Sequence, residues 1–209
     1  MRQISWIAAR FYALLTRRGR WVQSCRALAG LTASPRARRL LDVGTGPGTL
    51  ALEMEAVAPD ATVAGLDSSP RMLSEARRKR TAGRILWVCG DAGRLPFRTG
   101  VFDGVAGHSV LYLTAEHQEV LMEVMRVLRS GGRVGFVEPR VSVWRAAWGS
   151  RFAGLRFTIS MLGWRWVSRY HRRYDERDMV DLLKACGYRE VHGEAAVEGF
   201  GVRVTGRKK

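Results

Sequence analysis

The sequence predicts an α/β domain, a doubly wound and mostly parallel sheet with helices on both faces. Three observations predict it. Short apolar runs of β type alternate with segments of helical periodicity along the whole chain. The runs stop at acidic or glycine punctuation, as in Leu66-Asp67 and Cys89-Gly90-Asp91. The first run, Arg39-Leu40-Leu41-Asp42-Val43, leads into glycines at alternate positions, Gly44, Gly46 and Gly48, and then into a helix. A strand, a backbone-only loop and a helix N-terminus together form a cradle for a nucleotide-type ligand.

The elements follow in order. Ile4, Ile7, Phe11, Leu14 and Leu15 recur at helical spacing, which predicts an amphipathic helix over 3–16. A second helix is expected over about 20–30, and Ser34-Pro35 breaks the chain before the first strand. After the glycine loop, Leu50, Ala51, Met54 and Val57 mark a helix that Pro59-Asp60 ends. Thr62 to Asp67 reads as the second strand. Ser68-Ser69-Pro70 opens the next helix with a capping serine and a proline in the first turn, and Arg77-Arg78-Lys79-Arg80 closes it. Strands are expected at 85–89, 102–106 and 133–137. Between the last two, Thr114 reads as the cap of a helix that Gly131-Gly132 terminates. Asp175 caps a final helix with Met179, Leu182, Leu183 and Cys186 turned inward and Gly187 as terminator, before strands at about 189–195 and 200–206.

Length and composition bound the function. A chain of 209 residues fits a single domain, 1–209, with 1–34 as an N-terminal helical cap and 140–174 as a helical lid insertion. Cys25, Cys89 and Cys186 lie far apart with no C-x-x-C, which disfavours a disulfide framework or a zinc cluster. No run reaches the roughly 18 apolar residues of a membrane span, and Arg10 interrupts any signal-like segment. The expectation is a cytoplasmic protein that can sit peripherally at the inner face of a membrane. The net charge of +16 suits polyanions, although it is almost all arginine, as a GC-rich genome also produces.

Spacing selects the ligand. A dinucleotide fingerprint places glycine at the sixth position of G-x-G-x-x-G, where this chain has Thr49, and its third glycine comes one residue early. Asp42-x-Gly44-x-Gly46-x-Gly48 instead resembles the first motif of the class I S-adenosylmethionine-dependent methyltransferases. Asp67, Cys89-Gly90-Asp91-Ala92, Asp103 and Arg126-Val127-Leu128-Arg129-Ser130-Gly131-Gly132 match the family's later punctuation in order and spacing. The chain is similar to the small-molecule type, close to the quinone C-methyltransferases. The resemblance implies a Rossmann-like, doubly wound, seven-stranded, mostly parallel sheet and S-adenosyl-L-methionine as cofactor. It also implies a site of Asp42, Gly44, Thr45, Gly46, Gly48, Asp67, Ser68, Met72, Asp91, Ala92 and His108. In that scheme Asp67 takes the ribose hydroxyls, Asp91 the adenine amine and the Ala92 amide the ring. Met72 packs near adenine or fills the core, and Asp42 anchors the loop through backbone amides.

For catalysis, His108 at the end of the fourth strand either acts as the general base or only lines the cofactor site, with Glu138, Tyr112, His171 and Tyr174 as weaker candidates for the base. Within 140–174, Trp144, Trp148, Phe152, Leu155, Ile159, Leu162 and Trp166 fall on one helical stripe flanked by arginines. That pattern reads as a lid over an apolar or aromatic small-molecule acceptor, as peripheral membrane contact through 140–170, or as a nucleic-acid surface, in that order. The expected activity is methyl transfer to a quinone-like ring or a lipid headgroup. The alternatives are an RNA methyltransferase and a non-catalytic cofactor-binding protein.

Overall fold

The computed structural model describes residues 19–79, 83, 85–141 and 172–209. The expected helix at 3–16, His171 and the apolar stripe of the insertion lie outside the described residues. Within them the order is α1 (Arg20–Thr32), β1 (Arg39–Val43), α2 (Thr49–Val57), β2 (Thr62–Asp67), α3 (Pro70–Arg77) and β3 (Ile85–Cys89). Then come β4 (Phe102–His108), a 3-10 turn (Leu111–Leu113), α4 (His117–Val127), β5 (Leu128–Pro139), α5 (Glu176–Ala185), β6 (Arg189–Ala196) and β7 (Gly201–Arg207).

The strands form one sheet in the order β3-β2-β1-β4-β5-β7-β6, with β7 antiparallel to both of its neighbours and the rest parallel. Alternation along each strand feeds two cores. Leu41, Ala64, Val105 and Phe136 face α4 and α5, while their neighbours Leu40, Val63, Ala106 and Val137 face α1 and α2. Period-two burial on both sides is what makes these strands nearly continuous apolar runs.

Two helix ends repeat their sequence signals. Ser69 Oγ accepts the Met72 amide at the start of α3. Asp175 and Asp178 exchange side-chain-to-backbone bonds at the start of α5, a reciprocal cap.

Three expectations are corrected. Thr114 does not cap α4. Its hydroxyl donates to Leu111 O and closes the 3-10 turn, and α4 begins at His117 with Glu116 as its N-cap residue. Gly131-Gly132 does not end α4 either. Leu128 already pairs with Phe102 of β4, so the helix stops at Val127 and the glycines form an irregularity in β5. That irregularity is tied to the chain end, because Gly131 N donates to Lys208 O and Lys208 N donates to Gly132 O. Finally, β4 runs two residues beyond the expected Ala106 and carries His108 inside the strand.

Candidate cofactor and acceptor site

Strand order reverses between β1 and β4, and because β3, β2, β1 and β4 are parallel, their C-terminal ends share one edge. Register sets the tips side by side: Val43 pairs with Leu66 and Asp67 with Cys89. A crevice at such a switch point is where open α/β sheets bind ligands.

The glycine loop is pinned there from three sides. Thr45 N donates to Leu66 O at 2.9 Å, and Gly48 N to Thr45 O at 2.8 Å. Gly46 N donates to Asp67 Oδ2 at 2.8 Å. The other Asp67 oxygen accepts Ser69 N, also at 2.8 Å, so one carboxylate joins the glycine loop to the start of α3. Asp42 is buried, and its Oδ2 accepts the Thr45 hydroxyl at 2.6 Å. Its other oxygen is buried without a hydrogen bond. Asp42 thus anchors the loop through the Thr45 hydroxyl, and the Ala51 amide in the first turn of α2 also acts on its carboxylate. Burial pushes its carboxyl up to about 7 against the pull of the Thr45 hydroxyl.

The glycines serve the protein as well as any ligand. Gly44 (φ +68°) and Gly48 (φ +79°) are left-handed, and a Cβ at either would strike a side chain, Val110 at Gly44 and Trp87 at Gly48. At these two positions the missing side chain admits Val110 and Trp87.

Along the same edge, Asp91 is exposed, and its Oδ1 accepts Gly93 N at 2.9 Å in a tight turn. Ala92 is half-buried against the core, Ser68 is exposed and Met72 is buried. An adenosine-bearing ligand fits these residues. Each Asp67 oxygen accepts one amide and keeps a second lone pair for a ribose hydroxyl, and the side chain is only partly buried.

Beyond β4 the chain turns sharply at Ser109 (φ +63°). Glu138, fully buried at the tip of β5, captures this turn. Its Oε1 accepts Val110 N and Leu111 N at 3.0 and 2.9 Å, and its Oε2 accepts Tyr112 N at 3.2 Å. Burial outweighs these donors and lifts the Glu138 carboxyl to about 7.

His108 is not placed as a free base. Its ring tilts against Trp21 of α1 at 4.3 Å between centroids. Nε2 lies 3.1 Å from Ser24 Oγ and Nδ1 3.0 Å from Ser109 Oγ, and burial drops its pKa to about 3. The reason is strand alternation, which turns His108 to the same face as Ala106, the α1 side. Tyr112 and Tyr174 are buried, and Tyr174 OH has no hydrogen bond. Sequence reasoning missed His117, whose ring stands edge-on to Tyr174 at 6.1 Å and whose Nδ1 is likewise buried and unpaired. Its place at a helix start carried no motif that could have singled it out.

A sheet that reverses at β1/β4, with a pinned glycine loop and acidic strand tips on that edge, defines an α/β protein built to hold a nucleoside-bearing cofactor. The methyltransferase domain family model matches residues 41–136. The demethylmenaquinone methyltransferase of Lactococcus lactis is 32% identical over 171 residues, covering 74% of this chain and 68% of that protein. That of Thermus thermophilus is 38% identical over 115 residues, 54% of this chain and 52% of the relative. Among solved structures, a SAM-dependent methyltransferase from Aquifex aeolicus shares the fold, with a TM-score of 0.69 at 15% identity, covering 95% of this chain and 97% of that one. The chain belongs to the class I S-adenosylmethionine-dependent methyltransferases, and its sequence is similar to the quinone C-methyltransferase group. It spans about half the length of the first curated relatives it matches.

The family's cofactor supplies, when bound, a methyl group activated by a positively charged sulfur. The protein's share is placement. Asp67 fixes the loop and offers lone pairs at the β2 tip, and Asp91 offers a carboxylate at the β3 tip. Glu138 locks residues 110–112, which seats Val110 over Gly44 at the β1/β4 crevice.

Proposed function

We propose that this protein transfers a methyl group from S-adenosylmethionine to a lipophilic or aromatic small molecule, a quinone-like ring or a lipid headgroup. One observation carries the reading: the Asp67 carboxylate binds the glycine loop at Gly46 and the start of α3 at Ser69, at the β2 tip beside the switch point, and keeps lone pairs for a ribose. The relatives named as demethylmenaquinone methyltransferases support the acceptor class. In this reading His108 braces β4 against α1 and does not remove a proton, since both its nitrogens are engaged by serine hydroxyls.

The test is incubation with methyl-labelled S-adenosylmethionine and two separate extracts, total lipid and total RNA. Label in the lipid fraction is expected. Label only in RNA overturns the acceptor class, and cofactor binding without transfer to any extract overturns the enzyme.

A further inference from the structure

Two polar atoms on the α4 side of the β5 tip have no hydrogen-bond partner among the described residues, and they lie on neighbouring rings. Tyr174 is fixed beside β5 by its backbone, with Tyr174 N donating to Pro139 O at 3.1 Å and Val141 N to Tyr174 O at 3.0 Å. The residue is only 3% exposed and belongs to the same apolar cluster as Leu111 and Met179, yet its hydroxyl makes no hydrogen bond among the described residues. His117 faces this ring from the first turn of α4. Arg172 Nη1 lies 3.2 Å from His117 Nε2. A guanidinium only donates, so Nε2 accepts, and the neutral ring carries its proton on Nδ1. That Nδ1 is the second buried, unpaired atom. Burial and the Arg172 charge both hold the imidazole neutral by lowering its pKa. Folded proteins rarely leave two such atoms together unless something from outside satisfies them.

Both atoms can donate, and the charges around them narrow what they accept. Burial raises the Tyr174 hydroxyl pKa and Glu138 adds to that, but the Glu138 carboxylate already accepts the amides of residues 110–112. Arg172, beside His117 Nε2, adds positive potential. An ammonium group gains nothing from two donors and a guanidinium. An oxygen that carries no proton of its own accepts from both.

We propose that Tyr174 and His117, with Arg172 orienting the imidazole, form the subsite that binds a carbonyl or phenolate oxygen of the methyl acceptor. This rests on the methyl-transfer reading above and narrows it, choosing a quinone-like ring over an amine-bearing lipid headgroup.

Equilibrium dialysis of the full chain with S-adenosylhomocysteine tests it, with 1-tetralone and its carbonyl-free analogue tetralin as probes. The wild type is expected to prefer the ketone by about tenfold or more, because a site built to hydrogen-bond an oxygen rejects the analogue lacking it. Tyr174→Phe and His117→Phe should each cut that preference by at least about threefold and leave tetralin binding within twofold. Thermal melting of Tyr174→Phe without ligand should show no loss of stability, since the hydroxyl it removes is unpaired. A preference unchanged in both variants overturns the subsite, as does a wild type that does not bind the ketone. So does a Tyr174→Phe melting temperature several degrees lower, which would make the hydroxyl a structural bond to internal water. Dialysis reads binding alone, so absence of methyl transfer to lipid would sink the enzymatic reading while leaving this result standing.

Discussion

Asp67 carries the most consequence of any single residue. One carboxylate fixes the Gly46 amide and the Ser69 amide and still has lone pairs at the crevice. Asp67→Asn keeps the size but turns one acceptor into a donor facing an amide, so affinity for S-adenosylhomocysteine should fall by about tenfold to a hundredfold. Isothermal titration checks this, and unchanged affinity would remove the cofactor from this edge. Glu138 makes a pH prediction. Its folded pKa, about 7, stands above the ordinary 4.5, so the stability linked to it is complete below pH 4.5 and is lost as pH rises through 7. Glu138→Gln, which does not titrate, lacks that loss. Urea unfolding at pH 5 and pH 8 should therefore show the wild type losing roughly 2–3 kcal/mol relative to the variant at the higher pH. A difference that stays constant, or runs the other way, contradicts the burial argument.

At the scale of elements, the glycine loop is a joint between β1, β2, α2 and the turn after β4. Gly44 sits at positive φ directly under Val110, and the 110–112 turn is itself held by Glu138. Gly44→Ala therefore meets both backbone strain and a side-chain clash, and should cost about 2–4 kcal/mol. Thermal unfolding measures it, and a loss below about 0.5 kcal/mol would mean that the turn yields freely. The loop joining β3 to β4 is clamped in the same manner from α4. Arg126 donates to Phe97 O and Leu95 O while paired with Glu123, and Glu123 accepts Leu95 N. Arg126 stands in the last turn of α4, where a cation suits the helix dipole. The structure gives it the further task of holding a loop some thirty positions away.

For the whole molecule, the question is where the +16 charge acts. Arg36, Arg129, Arg133 and Arg207 line a cavity of about 210 Å³ together with Asp103 and the end of α1. Asp103 is already taken by the Arg38 and Arg39 amides and by Arg129. This cavity lies where β1 and β4 begin, at the end of the sheet away from the glycine loop. The arginines that line it therefore stand apart from the glycine loop and the acidic strand tips. Arg36→Ala with Arg133→Ala should lower the salt needed to elute the protein from heparin and leave methyl transfer to the lipid fraction within about twofold. A tenfold loss of transfer would join the two ends of the sheet functionally. Among the described residues no helix is long and apolar enough to cross a membrane, and none groups into a metal-binding cluster.

Much of this was legible in the sequence because it is local. Strand alternation, the Ser69 and Asp175 caps and the glycine spacing each depend on residues within a few positions, so periodicity exposes them. The acidic tips at Asp42, Asp67 and Asp91 reach one edge because parallel strands joined by helices must all point one way. What tertiary structure alone decided concerns partners far apart in the chain. His108 looks like a base at the end of a strand until α1, some eighty positions earlier, brings Trp21 and Ser24 against it. Glu138 becomes an anchor because β5 sets its carboxyl beneath the amides of residues 110–112, and His117 acquires meaning only when Tyr174 is laid beside it. Neighbours in sequence set which way each element runs, while burial and hydrogen-bonding partners are set by which surfaces meet, and no local pattern encodes that meeting.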